Sequence, residues 1–206
     1  MIRDPKDLQR YNASERSNHW VVGISFILLA LSGLAFFHPA FFPLAHLFGG
    51  PVWARILHPF IGVLMAVSFL WLFLRFRRLN KMTPADKEWL ERAGEMVNGN
   101  DHNMPEQGKY NGGQKAMFWA SALCMLLITV SGVLIWRAYF GFDVSVVRLA
   151  MVVHAAVAAL MIALIMVHVY AAIWVKGTIR AMWYGTVTRA WAKQHHRAWY
   201  REVSGK

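Results

Sequence analysis

Polar and apolar positions along this chain are gathered into long blocks rather than interleaved. No Asp, Glu, Lys or Arg occurs between Arg16 and Arg55, between Arg55 and Arg75, between Lys115 and Arg137, or between Arg148 and Lys176. Each gap holds an apolar run of about 18 residues or more, and at a rise of about 1.5 Å per residue such a helix crosses the ~30 Å hydrocarbon layer of a bilayer. The pattern predicts membrane spans over 20–37, 56–74, 116–136 and 149–174. Helices buried in a soluble core look similar, but four such runs leave too little polar sequence to cover them. The predicted fold is an all-α integral membrane bundle of four transmembrane helices, one domain over 1–206.

The connections carry their own signals. The segment 38–53 contains Pro39, Pro43, Pro51 and several aromatic residues with almost no charge, which suits the headgroup region or the underside of a partner. The loop 77–115 opens with Thr83-Pro84, predicts a short polar helix over 85–97, and then turns glycine- and asparagine-rich from Asn98-Gly99-Asn100 onward. After the fourth span the chain is expected to stay helical for a time. Its tail, 177–206, is basic and aromatic over 183–200, as suits an amphipathic segment on a membrane or a partner. No internal repeat stands out.

Composition agrees: 57% of the 206 residues are hydrophobic and 16% charged. The net charge of +11 would suit a nucleic-acid partner, but its distribution says otherwise. Four spans put both termini on one side, with the loop 77–115. That side collects 19 of the 22 Lys and Arg residues, leaving only Arg55, Arg137 and Arg148 opposite. This is the positive-inside pattern, so both termini are expected in the cytoplasm, with the basic residues meeting anionic lipid rather than nucleic acid. The polar N-terminus has no signal-peptide core and no twin arginine, which makes the first span an uncleaved anchor. Cys124 is the single cysteine, which excludes an internal disulfide, a Cys-x-x-Cys-His haem attachment and a cysteine-held iron–sulfur cluster.

Of nine histidines, four fall on the spans: His19, His58, His154 and His168. Histidines in membrane spans are uncommon and usually functional. By the topology, His19 and His168 lie near the inner face and His58 and His154 near the outer face. His154 and His168 are 14 residues apart, a rise of about 21 Å with directions differing by about 40°. Both therefore project from nearly one face of the fourth span at two depths. Pairing His58 with His154 and His19 with His168 gives two bis-histidine sites, suited to two b-type haems. Four residues after each histidine stands a small residue, Gly23, Gly62, Ala158 and Ala172, on the same face and leaving room for a porphyrin. Small residues also serve plain helix packing, and a histidine at a span end also suits the headgroups. Zinc would want its ligands around one centre, which the separation of the two levels forbids. Two strong axial ligands leave iron no open position, so the expected work is electron transfer. His38, His46, His102, His195 and His196 read as interfacial or partner-facing.

Several stretches resemble the cytochrome b (gamma) subunit of membrane-bound respiratory formate dehydrogenase. They are Glu15-Arg16-Ser17-Asn18-His19-Trp20, Arg55-Ile56-Leu57-His58-Pro59-Phe60, Gly108-Lys109-Tyr110-Asn111-Gly112-Gly113-Gln114-Lys115 and Ser131-Gly132-Val133-Leu134-Ile135-Trp136-Arg137. His154 with His168, Trp174-Val175-Lys176-Gly177-Thr178-Ile179, and Trp191-Ala192-Lys193-Gln194-His195-His196 followed by Trp199-Tyr200-Arg201-Glu202 complete the set, which covers most of the chain. Ala138 and Arg197 stand where the family pattern has proline. The resemblance implies the same four haem ligands and a menaquinone- or ubiquinone-reducing site beside the inner haem, involving Asn111, Gly113, Gln114, Tyr170 and Ala171. It also implies an iron–sulfur (beta) subunit feeding the outer haem, a molybdenum- or tungsten-containing catalytic (alpha) subunit that oxidises formate, and a heterotrimer able to assemble further in the bacterial cytoplasmic membrane. Two other readings remain: the cytochrome b of a nickel–iron hydrogenase or related oxidoreductase, and a haem-free transporter or structural anchor.

Overall fold

The computed structural model describes residues 6–98, 104–136 and 139–205. His102, Gly99-Asn100 and Arg137-Ala138, all touched by the sequence reading, lie outside the described residues. In chain order the elements are β1 (Leu8–Gln9), α1 (Ala13–Phe37), a 3₁₀ helix (Pro39–Phe48), α2 (Pro51–Phe76), α3 (Pro84–Glu91) and α4 (Ala93–Val97). There follow α5 (Gly112–Ile135), α6 (Val144–Trp174), α7 (Thr178–Tyr184), β2 (Thr186–Val187), α8 (Arg189–His195) and α9 (Arg197–Ser204). α1, α2, α5 and α6 are each long and apolar enough to cross a membrane. Their outward residues are oily: Ile27, Val67, Leu126 and Val152 are all more than half exposed. A soluble bundle puts such residues inside, whereas a helix facing acyl chains has no reason to.

The four helices end close to where the sequence predicts and begin four to seven residues earlier, at 13, 51, 112 and 144 rather than 20, 56, 116 and 149. The extra turns of α1 and α5 are polar, those of α2 and α6 carry Arg55 and Arg148, and the start signals are local. Asn12 Oδ1 accepts from Glu15 N at 2.8 Å while Asn12 N donates to Glu15 Oε2 at 2.8 Å, a reciprocal capping box at the head of α1. Asn111 and Gln114 repeat it for α5. Pro51 occupies the first position of α2, where its missing N–H costs no helical bond.

The chain divides into two compact units, one formed by Ser17–Leu74 and Ser121–Val167, the other by Met1–Arg16, Arg75–Ala120 and His168–Lys206. In the first, Met65, Cys124, Met125 and Met161 are buried together, with Phe26, Leu29, Phe69 and Val157 packed against them. Methionines fill irregular gaps between helices at little rotamer strain. A second small core, Ala35, Ala45 and Ala54, fixes the 3₁₀ helix against the neighbouring ends of α1 and α2.

The second unit is knitted from segments far apart in sequence. β1 and β2 pair antiparallel, Leu8 opposite Val187 and Gln9 opposite Thr186. Ala181, Val187, Trp191, Ala192 and Trp199 form its core, with Leu8, Tyr11 and Tyr200 against it. After α6 ends at Trp174 the chain is helical again in α7, and between them Gly177 takes φ 95°, a left-handed value, as the N-cap of α7; a Cβ there would lie 3.0 Å from the Trp191 ring. The basic, aromatic tail is divided among β2, α8 and α9, with Trp191 and Trp199 buried in this unit. The polar helix expected over 85–97 is broken into α3 and α4 at Arg92.

Candidate functional site

In the first unit α2 and α6 bring His58 and His154 together, with ring centres 6.3 Å apart and planes crossed at 64°. With a metal–imidazole bond of about 2.0 Å on each side, two imidazoles at this spacing could hold one metal ion between them. Both rings are half-buried, and Phe36 meets His58 edge-on at 6.4 Å. The small residues that the sequence reading placed beside the ligands, Gly23, Gly62, Ala158 and Ala172, are also half-buried. No heavy atom lies within 4 Å of a Cβ built on Gly23 or Gly62, so both glycines border open space on the ligand-bearing face of their helix. Among the described residues no three His, Cys, Asp or Glu side chains gather as a metal site. The donor set is two imidazoles and nothing harder, which fits haem iron.

Each of these histidines has a polar neighbour that sequence reasoning missed. His58 Nδ1 lies 2.7 Å from Ser32 Oγ on α1, and His154 Nδ1 lies 3.0 Å from Ser131 Oγ on α5. The signal that could have found them is the Ser-Gly dipeptide, present mid-membrane at both Ser32-Gly33 and Ser131-Gly132.

His19 is half-buried in the second turn of α1, and His168 is exposed on α6, six residues before its end at Trp174. Tyr170 and Ala171 follow His168 on the same helix and are exposed, the Tyr170 ring tilted against Trp174 at 5.7 Å.

In the second unit the stretch 108–114 is held by side chains from both ends of the chain. Arg10 is 4% exposed, its guanidinium 5.0 Å from the rings of Trp191 and Trp199 and 5.8 Å from those of Tyr11 and Tyr110. It donates to Lys109 O at 2.5 Å and lies 3.3 Å from His196 Nε2. His196 Nδ1 lies 2.7 Å from Gly108 O. A carbonyl only accepts and a guanidinium only donates, so the His196 proton sits on Nδ1 and the lone pair on Nε2. Burial first, then the Arg10 charge, pushes His196 down to about 3. This corrects the expectation for His196: it is 1% exposed and faces no partner. His38 and His46 are exposed as expected, and His195 is half-buried.

The clamp delivers Asn111 and Gln114 in one orientation. Asn111 Oδ1 accepts from Gln114 N at 2.9 Å, and Gln114 Oε1 accepts from Asn111 N at 3.1 Å. With the oxygens used as caps, both side chains present their NH₂ groups as remaining donors, the kind of group a quinone carbonyl needs. Gly113 has a packing reason too, since a Cβ there would lie 2.8 Å from the Trp89 ring of α3. Beneath it Lys115 Nζ meets Asp86 Oδ2 at 2.6 Å, a buried pair that Thr83 completes through N and Oγ1 at 2.7 and 2.6 Å.

Comparison with known proteins gives these residues a context. The prokaryotic cytochrome b561 family matches residues 10–185. The formate dehydrogenase cytochrome b556(fdo) subunit of Escherichia coli is 48% identical over 196 residues, 94% of this chain and 92% of its own. The nitrate-inducible cytochrome b556(Fdn) subunit of the same organism is 44% identical over 200 residues, 96% and 92% respectively. The formate dehydrogenase cytochrome b556 subunit of Haemophilus influenzae is 41% identical over 195 residues, 94% and 82%. Four apolar helices, a pair of facing imidazoles and similarity along nearly the whole length converge: the chain belongs to the prokaryotic cytochrome b561 family and, within it, to the cytochrome b556 subunits of formate dehydrogenase.

Proposed function

We propose that this chain anchors a respiratory formate dehydrogenase in the bacterial cytoplasmic membrane and links an iron–sulfur subunit on the outer face to menaquinone or ubiquinone on the inner face. His58 with His154 holds the outer haem b and His19 with His168 the inner one. The observation that carries this is the 6.3 Å separation of the His58 and His154 ring centres, at which both imidazoles would hold one haem iron between them. The inner pair is supported by the topology and by the about 21 Å of helix between His154 and His168. When bound, haem b would supply one-electron transfer.

The chain's own residues do the rest. The apolar spans exclude water and fix the distance between the two levels. At the inner end the Asn111 and Gln114 amides donate hydrogen bonds to the quinone carbonyls, with Gly113, Tyr170 and Ala171 shaping the approach, and cytoplasmic water supplies protons. Both termini and the loop 77–115 lie in the cytoplasm, where 19 of the 22 basic residues are collected. Formate oxidation belongs to a molybdenum- or tungsten-containing partner subunit, a reading supported by the similarity to formate dehydrogenase cytochrome subunits.

The test is haem content and reducibility in the purified complex. The expected result is two haem b per chain. His58→Ala should lose one haem and formate-driven reduction of the other, while quinol still reduces the haem that remains. A haem-free protein, or loss of the quinol-reducible haem in His58→Ala, overturns the proposal.

A further inference from the structure

The hydrogen bonds of Ser32 and Ser131 carry more information than their distances. Ser32 Oγ lies 2.8 Å from Leu28 O and Ser131 Oγ lies 2.6 Å from Leu127 O, each on the preceding turn of its own helix. A second carbonyl, Leu29 O at 3.2 Å from Ser32 Oγ and Ile128 O at 3.1 Å from Ser131 Oγ, lies beside the first, and carbonyl oxygens only accept, so the surroundings favour each hydroxyl placing its one hydrogen there. With the hydrogen so placed, the hydroxyl oxygen accepts from the histidine, at 2.7 Å from His58 and 3.0 Å from His154. Each imidazole must then carry its proton on Nδ1 and keep its lone pair on Nε2. Ser32 is 0% and Ser131 3% exposed, so water has no access to replace either bond. The next residue in each case is glycine. A Cβ on Gly33 would lie 3.5 Å from His58 Cε1, and one on Gly132 would lie 3.4 Å from His154 Cε1. Each glycine thus brings the helix backbone against the edge of the same ring that its serine holds. The device occurs twice, α1 serving the histidine of α2 and α5 that of α6.

We infer that Ser32 and Ser131 are positioning residues for the outer haem, each fixing its histidine's tautomer and ring rotation and setting the iron's redox potential. The inference rests on the reading of His58 and His154 as ligands to one iron. A proton held by an outside acceptor makes an imidazole a stronger electron donor and favours ferric over ferrous iron. Removing the acceptor should raise the midpoint potential of the outer haem and leave the inner one where it is. Loss of a partner of this kind changes metal affinity by about tenfold or more. A tenfold change in the ferric-to-ferrous affinity ratio corresponds to about 59 mV for one electron.

The experiment is a redox titration of the whole complex in membranes, with Ser32→Ala, Ser131→Ala, both serine-to-threonine variants and His58→Ala. The electron paramagnetic resonance spectrum of the ferric haems provides a second readout. The alanine variants should raise one potential by about 59 mV each and shift that haem's spectrum. Threonine, which keeps the hydroxyl, should return both to the wild-type values. If the alanine variants shed the outer haem, its retention by threonine supports the inference, and loss in both overturns it. Unchanged potential and spectrum in the alanine variants also overturn it. His58→Ala separates the two readings: two intact haems there remove the ligand assignment itself, while loss of one haem with silent serines removes only the serine roles.

Discussion

Acidification should open the Arg10–His196 clamp. His196 is held neutral at about 3 because it is buried and faces the Arg10 guanidinium, with His195 adding a smaller push in the same direction. In an opened state its imidazole returns to about 6.5. The open state therefore binds more protons between the two values, so the closed clamp has its full stability above about pH 6.5 and loses it as pH falls toward 3. At pH 5 the loss is about 2 kcal/mol, roughly a 30-fold rise in the opening equilibrium. The assay is hydrogen exchange of the backbone at 104–111 and 189–200 in the detergent-purified complex at pH 7.5 and 5, with rates corrected for the intrinsic effect of pH. Protection should fall by about 30-fold in the native protein. In His196→Gln, which keeps an amide donor and acceptor but cannot titrate, protection should be the same at both values. Equal protection at the two pH values in the native protein, or an equal fall in the glutamine variant, would refute the reasoning.

Other perturbations test separate parts of the structure. Asp86→Asn leaves Lys115 buried without its carboxylate and should cost roughly 3–5 kcal/mol in thermal unfolding of the complex, while Asp86→Leu combined with Lys115→Met should recover most of it. Gly113→Ala should slow quinone reduction because its Cβ meets Trp89 at 2.8 Å; pairing it with Trp89→Leu should restore the rate, and no restoration would mean that the glycine touches the quinone itself. Gly132→Val forces the His154 ring out of its place, since even a Cβ would stand 3.4 Å from it, and should lower outer haem content while leaving the inner haem spectrum intact.

Much of this was open to reading in the sequence, because a membrane span declares itself by what it lacks. The charge-free gaps placed the ends of four helices closely and set the expected depths of four histidines. The starts came late because the first turns of α1 and α5 are polar and contain Glu15 and Lys115. The Asn12-x-x-Glu15 and Asn111-x-x-Gln114 signatures mark those starts locally, where hydropathy does not. His196 was read as surface because its burial depends on Arg10, 186 residues away, and nothing in the tail predicts a guanidinium partner. The serines were missed for a related reason. Ser32 looks like an ordinary small residue of a membrane helix until α2 brings His58 beside it, and the pairing of helices is a property of the fold.

Arg10 also sets an order of events during synthesis. It is made before the first membrane helix, yet the rings and the imidazole that enclose it, Trp191, His196 and Trp199, are made after the fourth. Four membrane helices have to be inserted before the guanidinium can find its enclosure, so until then it remains hydrated at the membrane surface. Closure of the clamp therefore marks a chain that has been translated almost to residue 200. A truncated product would carry its spans into the bilayer but leave Arg10 and the 108–114 stretch bare, which separates it from a finished subunit before any partner arrives.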